Sequence, residues 1–343
     1  MAATPRATII IPCFNHGHFV ADAVRSVLAQ ENALVRIVIV NDGSTDGSSA
    51  ARCDACAEMG ANVRVIHQEN RGLPAARNAG AAIATREAWG EYLVFLDADD
   101  WIERSFVARL QQELLADPSP DVSHAYCQEK LVERGTGIWK VPAWDPLLLL
   151  VTNLHPVTAL IKRDHFERCS GFDESFNRGY EDWELWLRFS SRGWRGVRVR
   201  EPLFNWRRHS ENTLVMQATA RHAELHGQIV ERHPALYEQN ARKIIELSNV
   251  LLRRADANWL DENGEAIFVR DLRSRNCELF DELEAAQKRI AALESQVDDF
   301  KHKPAVVLSK AIFGLVDSLP RPLAAPVRSL AKLARRAMSK PAL

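Results

Sequence analysis

The sequence predicts an α/β fold built on a mostly parallel sheet. Two observations carry that reading. Over the first hundred residues, short β-branched apolar runs alternate with segments whose apolar residues recur at helical spacing. Each run also stops at a cluster of polar or turn-forming residues. Strand, helix, strand and helix joined by short connections imply right-handed crossovers. In such sheets, ligands sit beyond the carboxyl ends of the strands.

Taken in order, Thr8 to Ile11 reads as a buried strand ending at Pro12. Phe19, Ala23, Val24, Val27 and Leu28 place a helix over Phe19–Gln30. Arg36–Val40 is a second strand, ending in Asn41-Asp42-Gly43-Ser44, and Ser44 or Thr45 is expected to cap a helix running through Met59. Val63–Ile66 gives a third strand, Pro74–Thr85 a third helix and Tyr92–Leu96 a fourth strand. Beyond Asp117-Pro118-Ser119-Pro120, residues 121–207 are irregular and hold most of the tryptophans, as a pocket-forming half built onto the first sheet would. Gln217–Arg254 is helical and amphipathic.

The chain has 343 residues, 46% apolar and 26% charged, with a formal net charge of -1. The charge is uneven: residues 301–343 hold nine Lys or Arg and a single acid, Asp317. An acidic body with a basic tail suggests an anionic partner for the tail. Of the six cysteines only Cys53 and Cys56 are close in sequence, and they read as small residues on a helix rather than a metal or redox pair. No disulfide framework, signal peptide or membrane-length apolar run is apparent, so a cytoplasmic setting is expected, with any membrane contact peripheral. From 272 to 300 the residues Leu272, Asn276, Leu279, Leu283, Ala286, Ile290, Leu293, Val297 and Phe300 alternate in steps of four and three, the seam of a short coiled coil through which two chains can pair, or else the apolar face of one amphipathic helix packed on the body. Residues 303–343 combine an apolar stripe with Arg and Lys, as an amphipathic segment on an anionic membrane or a disordered tail would. They lack the interleaved aromatics of a nucleic-acid binder.

The polar strand ends are where chemistry is expected. No GxGxxG or GxxxxGK[ST] occurs there, which argues against dinucleotide oxidoreductases and P-loop enzymes. Asp97 and Asp99 flank one small residue, a pattern that can share Mn2+ or Mg2+ with the oxygens of a diphosphate. Asp42 can accept from a base or ribose, or cap the helix beside it. Arg71 and Arg77, at the opening of the third helix, can face a diphosphate; Arg77 can equally brace the Asp97 loop through an internal ion pair. Glu181 and Asp182 lie among Trp183 and Trp186 at a helix start, an arrangement suited to a general base beside an aromatic sugar-binding platform. His209 follows a strand and can serve as a metal ligand or a pyrophosphate donor.

These pieces resemble family 2 of the inverting glycosyltransferases, with the GT-A fold. The resemblance rests on Ile11-Pro12-Cys13-Phe14-Asn15, Asn41-Asp42-Gly43-Ser44-Thr45-Asp46, Asn70-Arg71-Gly72 with Ala76-Arg77-Asn78, Asp97-Ala98-Asp99-Asp100, Glu181-Asp182-Trp183 and Arg208-His209, in the family's order. It covers about residues 6–215. It implies a Rossmann-like, nucleotide-binding mixed sheet flanked by helices (residues 1–215), followed by a helical extension (216–265), the coiled-coil segment (266–302) and the basic tail (303–343). It implies that Pro12, Asn15, Asp42, Arg71, Arg77 and Asp97 form the nucleotide-sugar site. Asp99 and His209 would hold Mn2+ or Mg2+, Asp182 would be the base with Glu181 beside it, and Trp183 and Trp186 would meet the acceptor. The expected reaction moves a sugar from a nucleoside-diphosphate sugar, UDP-linked by family frequency, to a hydroxyl of a glycan or lipid-linked acceptor in a metal-assisted single displacement. The rival reading is a non-catalytic carbohydrate-binding scaffold that oligomerises through the coiled coil.

Overall fold

The computed structural model describes residues 4–133, 136–208 and 214–257. The chain divides after Val250 into two units, and the first, Met1–Val250, holds every strand of the sheet. His209, the 272–300 seam and the basic segment 303–343 lie outside the described residues.

The first half alternates as its periodicity dictates: β1 (Arg6–Cys13), α1 (Gly17–Leu28), β2 (Leu34–Asp42), α2 (Ser49–Ala57), β3 (Val63–Gln68), α3 (Leu73–Glu87) and β4 (Tyr92–Phe95). Then come β5 (Trp101–Ile102), α4 (Phe106–Ala116), β6 (Val122–Glu133), β7 (Gly137–Trp139), a 3-10 turn at Leu148–Leu150 and β8 (Leu160–Lys162). They are followed by α5 (Arg163–Arg168), α6 (Glu181–Ser191), β9 (Arg195–Arg208), α7 (Leu214–Ala220), α8 (His222–Arg232) and α9 (Pro234–Ala257). The sheet runs β3-β2-β1-β4-β8-β6-β9-β5, with β7 added to β6. Its first four strands are parallel, β8 enters antiparallel between β4 and β6, and β6 pairs parallel with β9. The parallel half is the expected crossover sheet, and the reversal at β8 makes the whole sheet mixed.

Helices cover both faces. Val20, Val24 and Val27 of α1, Cys53 and Cys56 of α2, and Phe106 and Leu110 of α4 pack on one face. Ala76, Ala81 and Ala84 of α3, Phe166 of α5 and Trp183 and Trp186 of α6 pack on the other. The small residues of α3 let it lie close to β1: a Cβ added at Gly80 would stand 2.4 Å from Ile10 Cγ2. That closeness carries Arg77, just under one turn earlier on the same helix, beneath the rim of the sheet.

One boundary differs from expectation. Helix α2 starts at Ser49, later than Ser44 or Thr45 would place it. The backbone N–H groups of Thr45 and Asp46 donate to Asn15 Oδ1 at 2.8 and 3.2 Å, so this stretch is held as a loop. The cap is Asp46, whose carboxylate accepts from the N–H of Ser48 and Ser49 and from Ser49 Oγ. These bonds hold its pKa down at about 2.

Candidate active site at the carboxyl rim of the sheet

Each predicted nucleotide-site residue sits at the carboxyl rim. Pro12 is buried at the end of β1, in register with Val40. Asn15 follows in the left-handed region, φ 58°. Its backbone N–H donates to Ser44 Oγ at 3.0 Å while its side chain gathers Thr45 and Asp46, so one asparagine ties the end of β1 to the end of β2. Asp42 is 2% exposed. Gln68 Nε2 and the Arg71 N–H donate to its Oδ1 at 2.7 and 3.0 Å, and the Gly72 N–H donates to its Oδ2 at 2.9 Å. Asp42 therefore caps neither α2 nor a free edge; it organises the turn into α3. A carboxylate offers about four acceptor positions, and three of them are taken here. The Arg71 guanidinium turns outward to Glu174, at 2.8 Å.

Arg77 links the loop after β4 to the start of α6 from below. It is 1% exposed, donates to Asp97 Oδ1 at 2.7 Å and pairs with Glu181. Burial works against its charge, and the two carboxylates more than restore it, so its pKa stands above the ordinary arginine value. Arg77 thus supports the site without facing it. Glu181, 6% exposed, is the other end of this brace, beside Asp182.

The acidic loop after β4 is locked by Arg207, which carries no signal in the linear pattern. Its backbone N–H donates to Asp100 Oδ1 and its Nε to the Asp99 carbonyl, both at 2.8 Å, while its guanidinium lies over the rings of Phe19 and Trp101. The buried Asp100 carboxyl is pushed well above the usual range by burial and by its acidic neighbours Asp99 and Asp97. Asp97 and Asp99 keep 37% and 18% of their side-chain surface open, with Asp99 Oδ2 3.7 Å from His16 Nδ1. Among the described residues no three His, Cys, Asp or Glu side chains converge into a metal cage. Mg2+-type sites need only one or two carboxylates when phosphate and water complete the shell. The residues therefore fit a cation that arrives with a diphosphate.

Asp182 opens α6, placed there by Gly179 (φ 116°) and Tyr180 (φ 65°), two residues at positive φ that turn the chain abruptly into the helix. Asn153 Nδ2 donates to its Oδ2 at 3.0 Å, and the Trp183 N–H to its Oδ1 at 2.7 Å. Burial and the neighbouring Glu181 push its carboxyl up to about 7 against the pull of Arg77. A carboxylate with a pKa near neutrality is poised to take a proton. Asn153 carries no motif, and nothing in the linear pattern points to it. The expected role of Trp183 and Trp186 is corrected by their burial. Both are at most 1% exposed, with indole N–H groups donating to the carbonyls of Leu149 and His155, so neither can stack on an incoming sugar. Their apolar mass anchors α6 in the core instead. Half-exposed rings lie elsewhere, at Phe14 and Trp139.

The chain is similar to known glycosyltransferases in sequence and in fold. The family described as "Glycosyl transferase family 2" matches residues 8–169. GlyA, a glycosyltransferase of Streptococcus pneumoniae serotype 4, is 36% identical over 115 residues, which make up 34% of this chain and 16% of that protein. YibD of Escherichia coli K12, described as an uncharacterized glycosyltransferase, is 35% identical over 137 residues, covering 40% of this chain and 38% of YibD. The chain thus spans well under half the length of these curated relatives. Among solved structures, S. aureus TarS superposes with a TM-score of 0.52 at 18% identity, covering 76% of this chain and 46% of that one. GalNAc-T7, crystallised with UDP, GalNAc and Mn2+, gives 0.52 at 18% identity, covering 66% and 48%. Residues 8–169 thus match glycosyltransferase family 2, and the acidic loop, the Asp42 turn and the Glu181-Asp182 corner are set on a sheet of the GT-A fold.

Proposed function

We propose that the protein is an inverting glycosyltransferase that moves a sugar from a UDP-sugar to a hydroxyl of a glycan or lipid-linked acceptor. The observation that carries this reading is the placement of Asp182 at the opening of α6, where its neighbour Glu181 is tied through Arg77 to Asp97 of the acidic loop. Asp42 and Asn15 fix the turns against which the nucleoside rests. Asp182 takes the proton of the acceptor hydroxyl while its oxygen bonds to the anomeric carbon, and the bond from that carbon to the diphosphate oxygen breaks on the opposite face. One displacement inverts the configuration. A cation held by Asp99 would supply charge neutralisation for the departing diphosphate. The UDP assignment draws support from TarS 1-349 solved with UDP-GlcNAc, a fold neighbour at a TM-score of 0.50 and 15% identity, covering 83% of this chain and 92% of that one.

The test is a thermal-shift screen of UDP-, GDP- and dTDP-sugars with and without Mn2+. One donor is expected to stabilise the protein, with Mn2+ required, and Asp99→Ala is expected to abolish the metal-dependent part. No shift with any donor would overturn the reading, and an unchanged shift in Asp99→Ala would remove Asp99 from metal binding.

A further inference from the structure

Among the described residues, four buried side-chain polar atoms lack a partner; Arg77 Nε and Asn153 Oδ1 belong to side chains bonded to the Glu181-Asp182 corner, and Glu129 Oε1 lies late in β6, which runs in the same direction as β4 toward the carboxyl rim. Arg77 is bonded to Glu181 and Asn153 to Asp182, and the charge of Asp182 is felt at Glu129. Native interiors rarely leave such atoms unpaired, and a group of them at one place calls for a ligand.

Glu129 is the most exceptional of the three. It is 1% exposed, on a strand whose residues Val122–Cys127 are all buried. The β6–β9 register shifts between Cys127 and Gln128 and again between Gln128 and Glu129. Bulges of this kind re-aim side chains and gather beside active sites. Burial, with the charge of Asp182 adding to it, pushes the Glu129 carboxyl up to about 8, so at neutral pH it carries a proton and can both give and accept a hydrogen bond. Across the β6–β7 ladder its partner is Trp139, whose ring is 48% exposed and lies 5.8 Å from that of Trp206. Residues opposite each other in a ladder share a face. An indole on the same face as a neutral carboxyl, beside a base, suits a sugar: its apolar face packs on the ring, whose hydroxyls are both donors and acceptors. A phosphate would meet the charges of Asp182 and Asp99. A cation lacks converging ligands among the described residues.

We propose that Glu129 and Asn153 read the acceptor: their unpaired oxygens take hydroxyls of the acceptor sugar near the one that Asp182 deprotonates, and Trp139 is the surface on which that sugar packs. This assignment rests on the transferase reading above and gives the aromatic contact to a different part of the chain from Trp183 and Trp186.

The experiment uses the full chain with Glu129→Leu and Glu129→Gln. Four quantities are measured: the Tm without ligand, the thermal shift by the donor that stabilises the wild type, and the acceptor KM and kcat on a panel of p-nitrophenyl hexosides. Glu129→Leu is expected to raise the ligand-free Tm by about 3 °C. It should leave the donor shift unchanged and raise acceptor KM by about tenfold or more with a smaller change in kcat. Glu129→Gln, which keeps a donor and an acceptor, should restore KM to within about threefold of wild type. A lower Tm in Glu129→Leu, or an unchanged KM, would overturn the assignment. A wild type that binds donor but transfers to none of the hexosides would also overturn it, whereas one that binds no donor counts against the transferase reading itself.

Discussion

The two ends of the rim treat their polar groups in opposite ways. At the nucleotide end, Asn15, Asp42 and Asp46 are bound to backbone N–H groups of neighbouring loops, so their geometry is set before any ligand arrives. At the Asp182 end, a carboxyl is held near neutrality by burial, and Asn153 and Glu129 keep oxygens without partners. Satisfied groups make a rigid frame; unsatisfied ones store a cost that a ligand can relieve. The difference separates residues that shape the site from residues that act in it, and substitutions should fall into two classes accordingly.

The largest effect is expected at Asp182. Asp182→Asn keeps the shape and the hydrogen bond from the Trp183 N–H but cannot take a proton, so kcat should fall by about 100-fold or more while the donor-induced thermal shift stays. Near-normal turnover would remove Asp182 from its role. The wild-type pH profile sharpens this: kcat/KM should fall about tenfold per unit below pH ~7, where the base becomes protonated. Stability should move the other way. The folded carboxyl titrates at about 7 against an ordinary 3.8, so the native state holds a proton that the unfolded chain has lost between those values. Its contribution is favourable at low pH and is lost as pH rises to 7. Asp182→Asn should therefore unfold later than wild type in urea at pH 8, with little difference at pH 4; a less stable variant at pH 8 would show that the carboxylate is structural.

Arg77 joins the two ends, and breaking it should damage both. Arg77→Met leaves Glu181 buried without its counter-charge, at a cost of about 3 kcal/mol. The half of the brace that reaches Asp97, a side chain 37% exposed, adds less because water screens it. Urea denaturation reads the loss, and a double variant Arg77→Met/Glu181→Leu should recover part of it. If the double variant is no more stable than the single, the pair does not act as a unit. Arg77→Lys should recover little, because one ammonium cannot reach two carboxylates with the fork of a guanidinium.

How much of this was legible in the sequence obeys the same division. The parallel half of the sheet declared itself because buried strands and amphipathic helices have distinct periods and each strand stops at polar residues. The reversal at β8 did not, since Leu160–Lys162 is too short to show a period. Asp42, Asp97, Asp99 and Asp182 stand at strand or helix ends, where the pattern collects polar groups at one rim. Asn153 lies in a loop and gains its meaning only when α6 brings Asp182 against it. Glu129 left no trace, because Val122–Cys127 mixes Ser123 and His124 with its apolar residues and does not read as a strand. Trp183 and Trp186 misled because an aromatic beside two acids looks the same in sequence whether its ring faces a sugar or the core. Helix α6 presents Asp182 at its first turn and buries the tryptophans beyond it.

The smallest effect is expected where the frame is most redundant. Asn15→Ala removes the acceptor that gathers the N–H groups of Thr45 and Asp46, and puts a Cβ-bearing residue with no side-chain bond at φ 58°. Both N–H groups are exposed enough for water to replace the bond, so the cost in stability should be only about 1 kcal/mol. Asn15→Gly relieves the backbone strain while still lacking the acceptor, and it separates the two contributions. If both variants lose the same stability, the side-chain bonds account for the loss; if Gly recovers most of it, the left-handed turn does. In either case donor affinity should fall by about a few-fold, as the 43–48 loop loses its side-chain tie to β1 and keeps only the backbone bond from Asn15 N–H to Ser44 Oγ. An affinity unchanged in both would mean that the nucleotide end is set by Asp42 and the turn into α3 alone.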